Sequence, residues 1–193
     1  MQFHKAEKYI SDLLQSELPG SLFYHNYDHT LEVLNAVIEI AREEHIEGED
    51  LLLLKTAALF HDSGFINAYY GHEEEGCKIA RSRLPLFDYS DVQIEKICGL
   101  IMATKTPQNP QTHLEKILCD ADLYYLGTDS FTETAKKLFR EWLERGKINS
   151  EEEWQRMQIE FLESHHYRTR SAIANREKKK AEHLQNLKKE RAL

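Results

Sequence analysis

Residues 49–62 read Glu49-Asp50-Leu51-Leu52-Leu53-Leu54-Lys55-Thr56-Ala57-Ala58-Leu59-Phe60-His61-Asp62. Between Asp50 and His61 only Lys55 and Thr56 are polar, so a helix over Glu49–Asp62 is apolar almost all round. Such a helix belongs at the centre of a helical core, not on its surface. It ends on an ionisable pair, and burying His61 and Asp62 there is expensive unless something compensates them. A divalent cation does so, because Zn²⁺, Mn²⁺, Fe²⁺, Co²⁺ and Ni²⁺ accept imidazole and carboxylate together.

The surrounding sequence has the same 3.6-residue period. Phe3, Ala6, Tyr9 or Ile10, Leu13 and Leu14 mark a first amphipathic helix that stops near Pro19-Gly20. Leu31, Leu34, Val37, Ile38 and Ala41 mark a second, from about Tyr27 to His45. Further helices are expected over His72–Leu84, Ser90–Ala103 and Thr112–Leu126, the last stopping at Gly127, with a loop at Pro107 and Pro110. Ser130-x-x-Glu133 and Ser150-x-x-Glu153 read as capping boxes that open helices over Phe131–Arg145 and Glu151–Ser164. A final helix runs from Tyr167 to about Lys189. With only eight glycines and four prolines and little strand-like alternation, the expected class is all-α. The organisation expected is one domain over residues 1–166 and a basic C-terminal helix over 167–193, packed on it or extending from it.

The 193 residues carry a formal net charge of −8. From Arg168 onward there are nine Lys/Arg and three Glu, which leaves 16 basic against 30 acidic residues in Met1–Tyr167. An acidic body argues against general nucleic-acid binding and against an anionic membrane surface. It does not argue against a phosphorylated substrate, because a bound divalent ion inverts the local field. The longest apolar runs, Leu51–Leu54 and Ala57–Phe60, are too short to span a bilayer. No apolar run follows a basic start at Met1-Gln2-Phe3-His4-Lys5, so no signal peptide is expected. Cys77, Cys98 and Cys119 form no CxxC and are odd in number, which fits a reducing, cytoplasmic setting.

Two further clusters join His61-Asp62. His25 and His29 stand four residues apart at the start of the second helix, where helical neighbours share a face. Asp120-Ala121-Asp122 places two carboxylates inside an otherwise apolar helix. The stretch Tyr24-His25-Asn26-Tyr27-Asp28-His29 resembles the Y-H-N-x-x-H signature of the HD superfamily of metal-dependent phosphohydrolases. Ala58-Leu59-Phe60-His61-Asp62-Ser63-Gly64 resembles its h-h-h-H-D-x-G motif. Asp120-Ala121-Asp122-Leu123-Tyr124-Tyr125-Leu126-Gly127 resembles the D-A-D-L-x-x-L-G motif of small bacterial members. His72-Glu73, Ile101–Thr104 and the tail around Ser164–Thr169 are also similar to segments of that subgroup. The resemblance is strong over Tyr24–Gly127.

The resemblance implies an HD-domain helical bundle and the metal ligands His29, His61, Asp62 and Asp122. The ion could equally be Mg²⁺ or one of the metals above. It implies that Asp120 stands behind the ligands and orients a ligating histidine. His25 matches the general-acid histidine of the phosphodiesterase branch; the alternative is a supporting histidine at a helix start. His72 and Glu73 are open to three readings: ligands to a second ion, an acid/base pair near the attacking water, or a solvated helix N-terminus favoured by the dipole. Lys105 is the expected substrate-binding cation, with Arg81 and Arg83 behind it. Tyr69-Tyr70 and Tyr124-Tyr125 are read either as a face for a base or as core. The reaction implied is hydrolysis of a phosphoester in a nucleotide or similar small phosphate by a metal-activated water. Its alternatives are cleavage of a phosphodiester or pyrophosphate in a signalling nucleotide, and a nucleotide-sensing module without turnover. HD folds often dimerise, so a homodimer is an expectation that rests on the resemblance alone.

Overall fold

The apolar stretch after Asp50 does what its composition demands. In the computed structural model, which describes residues 1–191, it forms α3 (Gly48–Phe60), with Leu53, Leu54, Ala57, Ala58, Leu59 and Phe60 all buried. Helices α1 (Phe3–Glu17), α2 (Tyr27–Glu43), α4 (His72–Arg83), α5 (Asp91–Ala103) and α6 (His113–Asp122) all pack around it. The bundle is completed by α7 (Phe131–Glu144), α8 (Glu151–Ser164) and α9 (Arg170–Arg191), and the described residues contain no strand. Ala192 and Leu193, the end of the expected tail, lie outside the described residues. Truncating a fully buried leucine such as Leu53 or Leu54 in this centre costs about 2–5 kcal/mol.

Local chemistry sets the helix ends. Asn26 caps α2 by accepting from the His29 backbone N–H at 3.1 Å. Ser90 with Gln93, and Thr112 with Glu115, form reciprocal capping boxes at α5 and α6. At α8 the Ser150 hydroxyl accepts from the Glu153 N–H as expected, but the Glu153 carboxylate turns to Asn149 N–H. Ser130 does not cap α7. Its own backbone is already helical, and its hydroxyl meets the Thr128 hydroxyl at 2.8 Å instead. The sixth helix is shorter than the expected Thr112–Leu126: it ends at Asp122, and Tyr124–Gly127 tighten into a 3-10 turn.

Two glycines let backbones meet. A Cβ on Gly64 would overlap the His72 carbonyl, so the 3-10 turn Ser63–Ile66 lies directly against the start of α4. A Cβ on Gly127 would fall 2.5 Å from the Arg176 carbonyl, so the turn after α6 lies directly against α9. The basic helix α9 is thus packed on the body. Lys180 is buried, donates to the His165 carbonyl at 2.5 Å and pairs with Glu177 at 2.7 Å. Arg176 pairs with Glu39 of α2 at 3.0 Å. Among the described residues no helix is long and apolar enough to cross a membrane. All three cysteines are free and buried.

Candidate metal centre

His29, His61, Asp62 and Asp122 converge from the first turn of α2, the end of α3 and the end of α6. The Asn26 cap starts α2 so that His29 falls in its first turn and faces inward, where the Tyr24 ring covers it at 4.4 Å. The His61 Nδ1–H donates to the Ala58 carbonyl at 2.8 Å, so Nε2 is the nitrogen presented to the cluster. His29 Nε2 lies 3.3 Å from Asp122 Oδ1 and 3.6 Å from Asp62 Oδ2. His61 Nε2 lies 3.2 Å from Asp62 Oδ2 and 3.6 Å from Asp122 Oδ1. Yet His29 Nε2, His61 Nε2 and Asp62 Oδ2 are buried without a hydrogen-bond partner. Buried polar atoms are normally satisfied, and three orphans facing one point fit an ion. Ligand atoms held about 2.1 Å from one ion lie roughly 3–3.4 Å apart, close to the spacings here.

Burial disfavours charge on His61, Asp62 and Asp122, but mutual attraction outweighs it. Asp62 and Asp122 hold the His61 imidazole well above its usual range. The histidines hold Asp62 well below the usual carboxylate range and Asp122 down to about 2.

His72 extends the cluster. Its Nδ1 faces the Tyr69 carbonyl at 3.2 Å, and its ring stacks on Phe65 with centroids 3.8 Å apart. His72 Nε2 then lies 3.6 Å from Asp62 Oδ1 and 3.5 Å from Glu73 Oε1. Glu73 is buried, so the solvated N-terminus does not describe it; the exposed ion pairs of this turn belong to Glu74 with Lys105 and Glu75 with Lys78.

The role expected for Asp120 is corrected. Its carboxylate reaches neither His29 nor His61. It accepts from the backbone N–H groups of Arg168 (2.9 and 3.0 Å) and Thr169 (2.7 Å) and from the Thr169 hydroxyl (2.7 Å). Asp120 therefore ties the entry of α9 to α6, and the Ala58 carbonyl does the orienting of His61.

A cavity of about 690 Å³ opens over the cluster, lined among others by His25, Asp62, His72, Lys105, Tyr69 and Trp142. Of the two open aromatic readings the structure divides only the second: Tyr69, Tyr70 and Tyr125 line this cavity, whereas Tyr124 is buried and donates to Glu39 at 2.7 Å. His25 belongs to the wall, with Nδ1 2.6 Å from Glu141 Oε1. Glu141, on α7, was not among the expected site residues, although it is fully buried. The signal was there: Phe131, Thr134, Leu138 and Glu141 lie on one helical stripe, and a lone glutamate on an apolar stripe needs a partner.

An all-α bundle with two histidines and two aspartates converging beside an open cavity defines the class, and the chain belongs to the HD-domain family, whose family model matches residues 26–126. That family is one of metal-dependent phosphohydrolases. Among solved structures, the crystal structure of Bacillus subtilis YpgQ in complex with ADP is similar in fold, with a TM-score of 0.67 at 17% identity over 98% of this chain and 97% of that chain. No curated protein matches the chain.

Proposed function

We propose that the protein is a phosphohydrolase that uses a divalent metal ion to hydrolyse a phosphoester bond of a nucleotide or similar small phosphate. The observation that carries this reading is the set of three orphaned buried atoms, on His29, His61 and Asp62, in a cluster whose Asp62 and Asp122 line the cavity. With Asp122 they make a donor set of two imidazoles and two carboxylates that suits a first-row divalent ion. When bound, that ion supplies positive charge that acidifies a water and neutralises the phosphate oxygens.

The remaining work falls to side chains. His25 lines the cavity beside the cluster and is the proposed proton donor to the leaving oxygen. The half-buried His72 and the buried Glu73 form an imidazole–carboxylate pair next to Asp62 that can hold and orient the attacking water. Lys105 lines the mouth, and its ammonium can exchange Glu74 for a phosphate oxygen. The aromatic wall offers a face for a planar base. The ADP bound to YpgQ supports a nucleotide substrate.

The test is elemental analysis of the purified protein followed by a phosphate-release screen after metal reconstitution. The screen spans nucleoside mono-, di- and triphosphates, cyclic nucleotides and simple aryl phosphates, with Asp62→Ala as control. About one or more transition-metal ions per chain and metal-dependent release are expected. Metal-free protein that binds nucleotide but releases nothing under any metal would sink the reading.

A further inference from the structure

Glu141 is the one fully buried carboxylate on α7, and it lies outside the segment matched by the HD-domain model. Four donors converge on it. Oε2 accepts from the backbone N–H groups of Tyr24 at 3.0 Å and His25 at 3.2 Å. Oε1 meets His25 Nδ1 at 2.6 Å and accepts from the Tyr69 hydroxyl at 3.1 Å. Two of these bonds fix the main chain that carries His25, and a third fixes its ring. An ionised carboxylate offers only acceptors, so the His25 nitrogen it faces must carry a hydrogen. The other ring nitrogen, Nε2, is then the one left for the cavity that His25 lines with Asp62, Asp122 and His72. Phe65 packs on the same imidazole with centroids 4.5 Å apart, which leaves the ring little freedom to flip.

We infer that Glu141 is the positioning residue of the reaction: it keeps a hydrogen on His25 Nδ1, so that Nε2 is the nitrogen aimed at the leaving oxygen and the one that carries the transferable proton. This rests on the phosphohydrolase reading and adds an element from outside the matched segment. In the step served, the water oxygen bonds to phosphorus while the bond from phosphorus to the leaving oxygen breaks. The leaving oxygen departs with the electron pair and takes the Nε2 proton of the His25 imidazolium, whose Nδ1–H stays on Glu141. The attacking water gives up one proton, which restores the ring, so the net reaction consumes one water. Tyr69 braces the same carboxylate and closes the support between the α4 approach and α7.

The demand on His25 depends on how badly the leaving oxygen needs a proton, and this separates positioning from plain support. With metal-loaded protein, Glu141→Gln is expected to lower kcat for an alkyl phosphomonoester about 10- to 100-fold at nearly constant KM. The loss for p-nitrophenyl phosphate, whose leaving group departs without a proton, is expected to be at least tenfold smaller. In a His25→Asn background the same substitution should add little, because the two residues act as one unit. Equal losses on both esters, or an undiminished loss in the His25→Asn background, overturn the inference. An activity-independent measurement accompanies it: long-range ¹H–¹⁵N correlation on the Zn²⁺-loaded protein. Wild type should show His25 with its hydrogen on Nδ1, and Glu141→Gln, or Glu141→Asp if the amide variant does not fold, should shift it towards Nε2. A wild-type ring protonated only at Nε2 overturns the inference whatever the activity screen returns. A wild type that turns over no ester but shows the Nδ1–H ring removes the phosphohydrolase reading and leaves the geometry of the pair standing.

Discussion

Asp120 and Asp122 stand two residues apart at the end of one helix, both in an apolar setting, and they are held in opposite ways. Asp120 is surrounded by neutral donors from the protein itself: two backbone N–H groups and a hydroxyl satisfy both its oxygens. Burial is the larger effect there and pushes its carboxyl above the usual range. Asp122 faces His29 and His61, and those imidazoles overcome the burial and bring it down to about 2. Its neighbours in the cluster keep buried atoms without partners. A satisfied buried carboxylate is part of the scaffold, whereas an incompletely satisfied group of ligating atoms is shaped for something the chain does not supply.

The widest separation comes from paired alanine variants. Asp122→Ala is expected to lose bound metal and to lower phosphate release roughly 10³-fold, read by elemental analysis and a phosphate assay. Asp120→Ala strands buried N–H groups, so its expected effect is on folding: about 2–4 kcal/mol, seen as a fall in Tm of roughly 5–15 °C. Its metal affinity should stay within about tenfold of wild type. Loss of metal at unchanged Tm in Asp120→Ala would break the distinction between the two aspartates.

Chelation sharpens the same contrast. Removing an ion present at about 100 times its Kd should cost wild type about 2.7 kcal/mol of stability by mass action. The same chelator should leave the Tm of Asp122→Ala where it was.

Glu141 is a third buried carboxylate, and it combines both modes: an imidazole on one oxygen and backbone donors on the other. Burial raises its carboxyl, but His25 and the backbone N–H groups outweigh that and hold it below its ordinary value of 4.5. A lowered folded-state pKa favours folding above the unfolded value, and that contribution is lost as pH falls through the folded one. The Tm gap between wild type and Glu141→Gln should therefore be widest near neutral pH and should narrow below about pH 4.5. A gap that widens in acid contradicts the ionised pair.

The smallest effect belongs to the exposed rim. Lys105 already pairs with Glu74 at the surface, where such contacts are worth at most about 1 kcal/mol. Lys105→Ala should raise KM no more than about fivefold at unchanged metal content.

How far each feature could be read from the chain follows the sequence distance of its partners. The central helix, the Ser150 cap and the His and Asp residues that converge were legible, because composition, period and short spacing are local. The length of α6 was not, since the turn at Tyr124–Gly127 is pinned by Tyr167, whose hydroxyl donates to the Leu123 and Tyr124 carbonyls from 43 or 44 residues away. Asp120 looked like a support for the expected metal ligands because it sits beside Asp122; its true partners come from Arg168 and Thr169. Ser130 had the letters of a cap and not the backbone angles.

By itself, then, the sequence determined an all-α bundle around one apolar helix, and the His and Asp residues whose burial there demands compensation. Periodicity and desolvation act on neighbours in the chain, so they can be read along it. Only the tertiary structure decided which carboxylate is satisfied and which is left open, that Glu141 reaches His25 across 116 residues, and that α9 closes on the turn after Asp122. Those outcomes depend on donors and acceptors that meet only after the helices have packed.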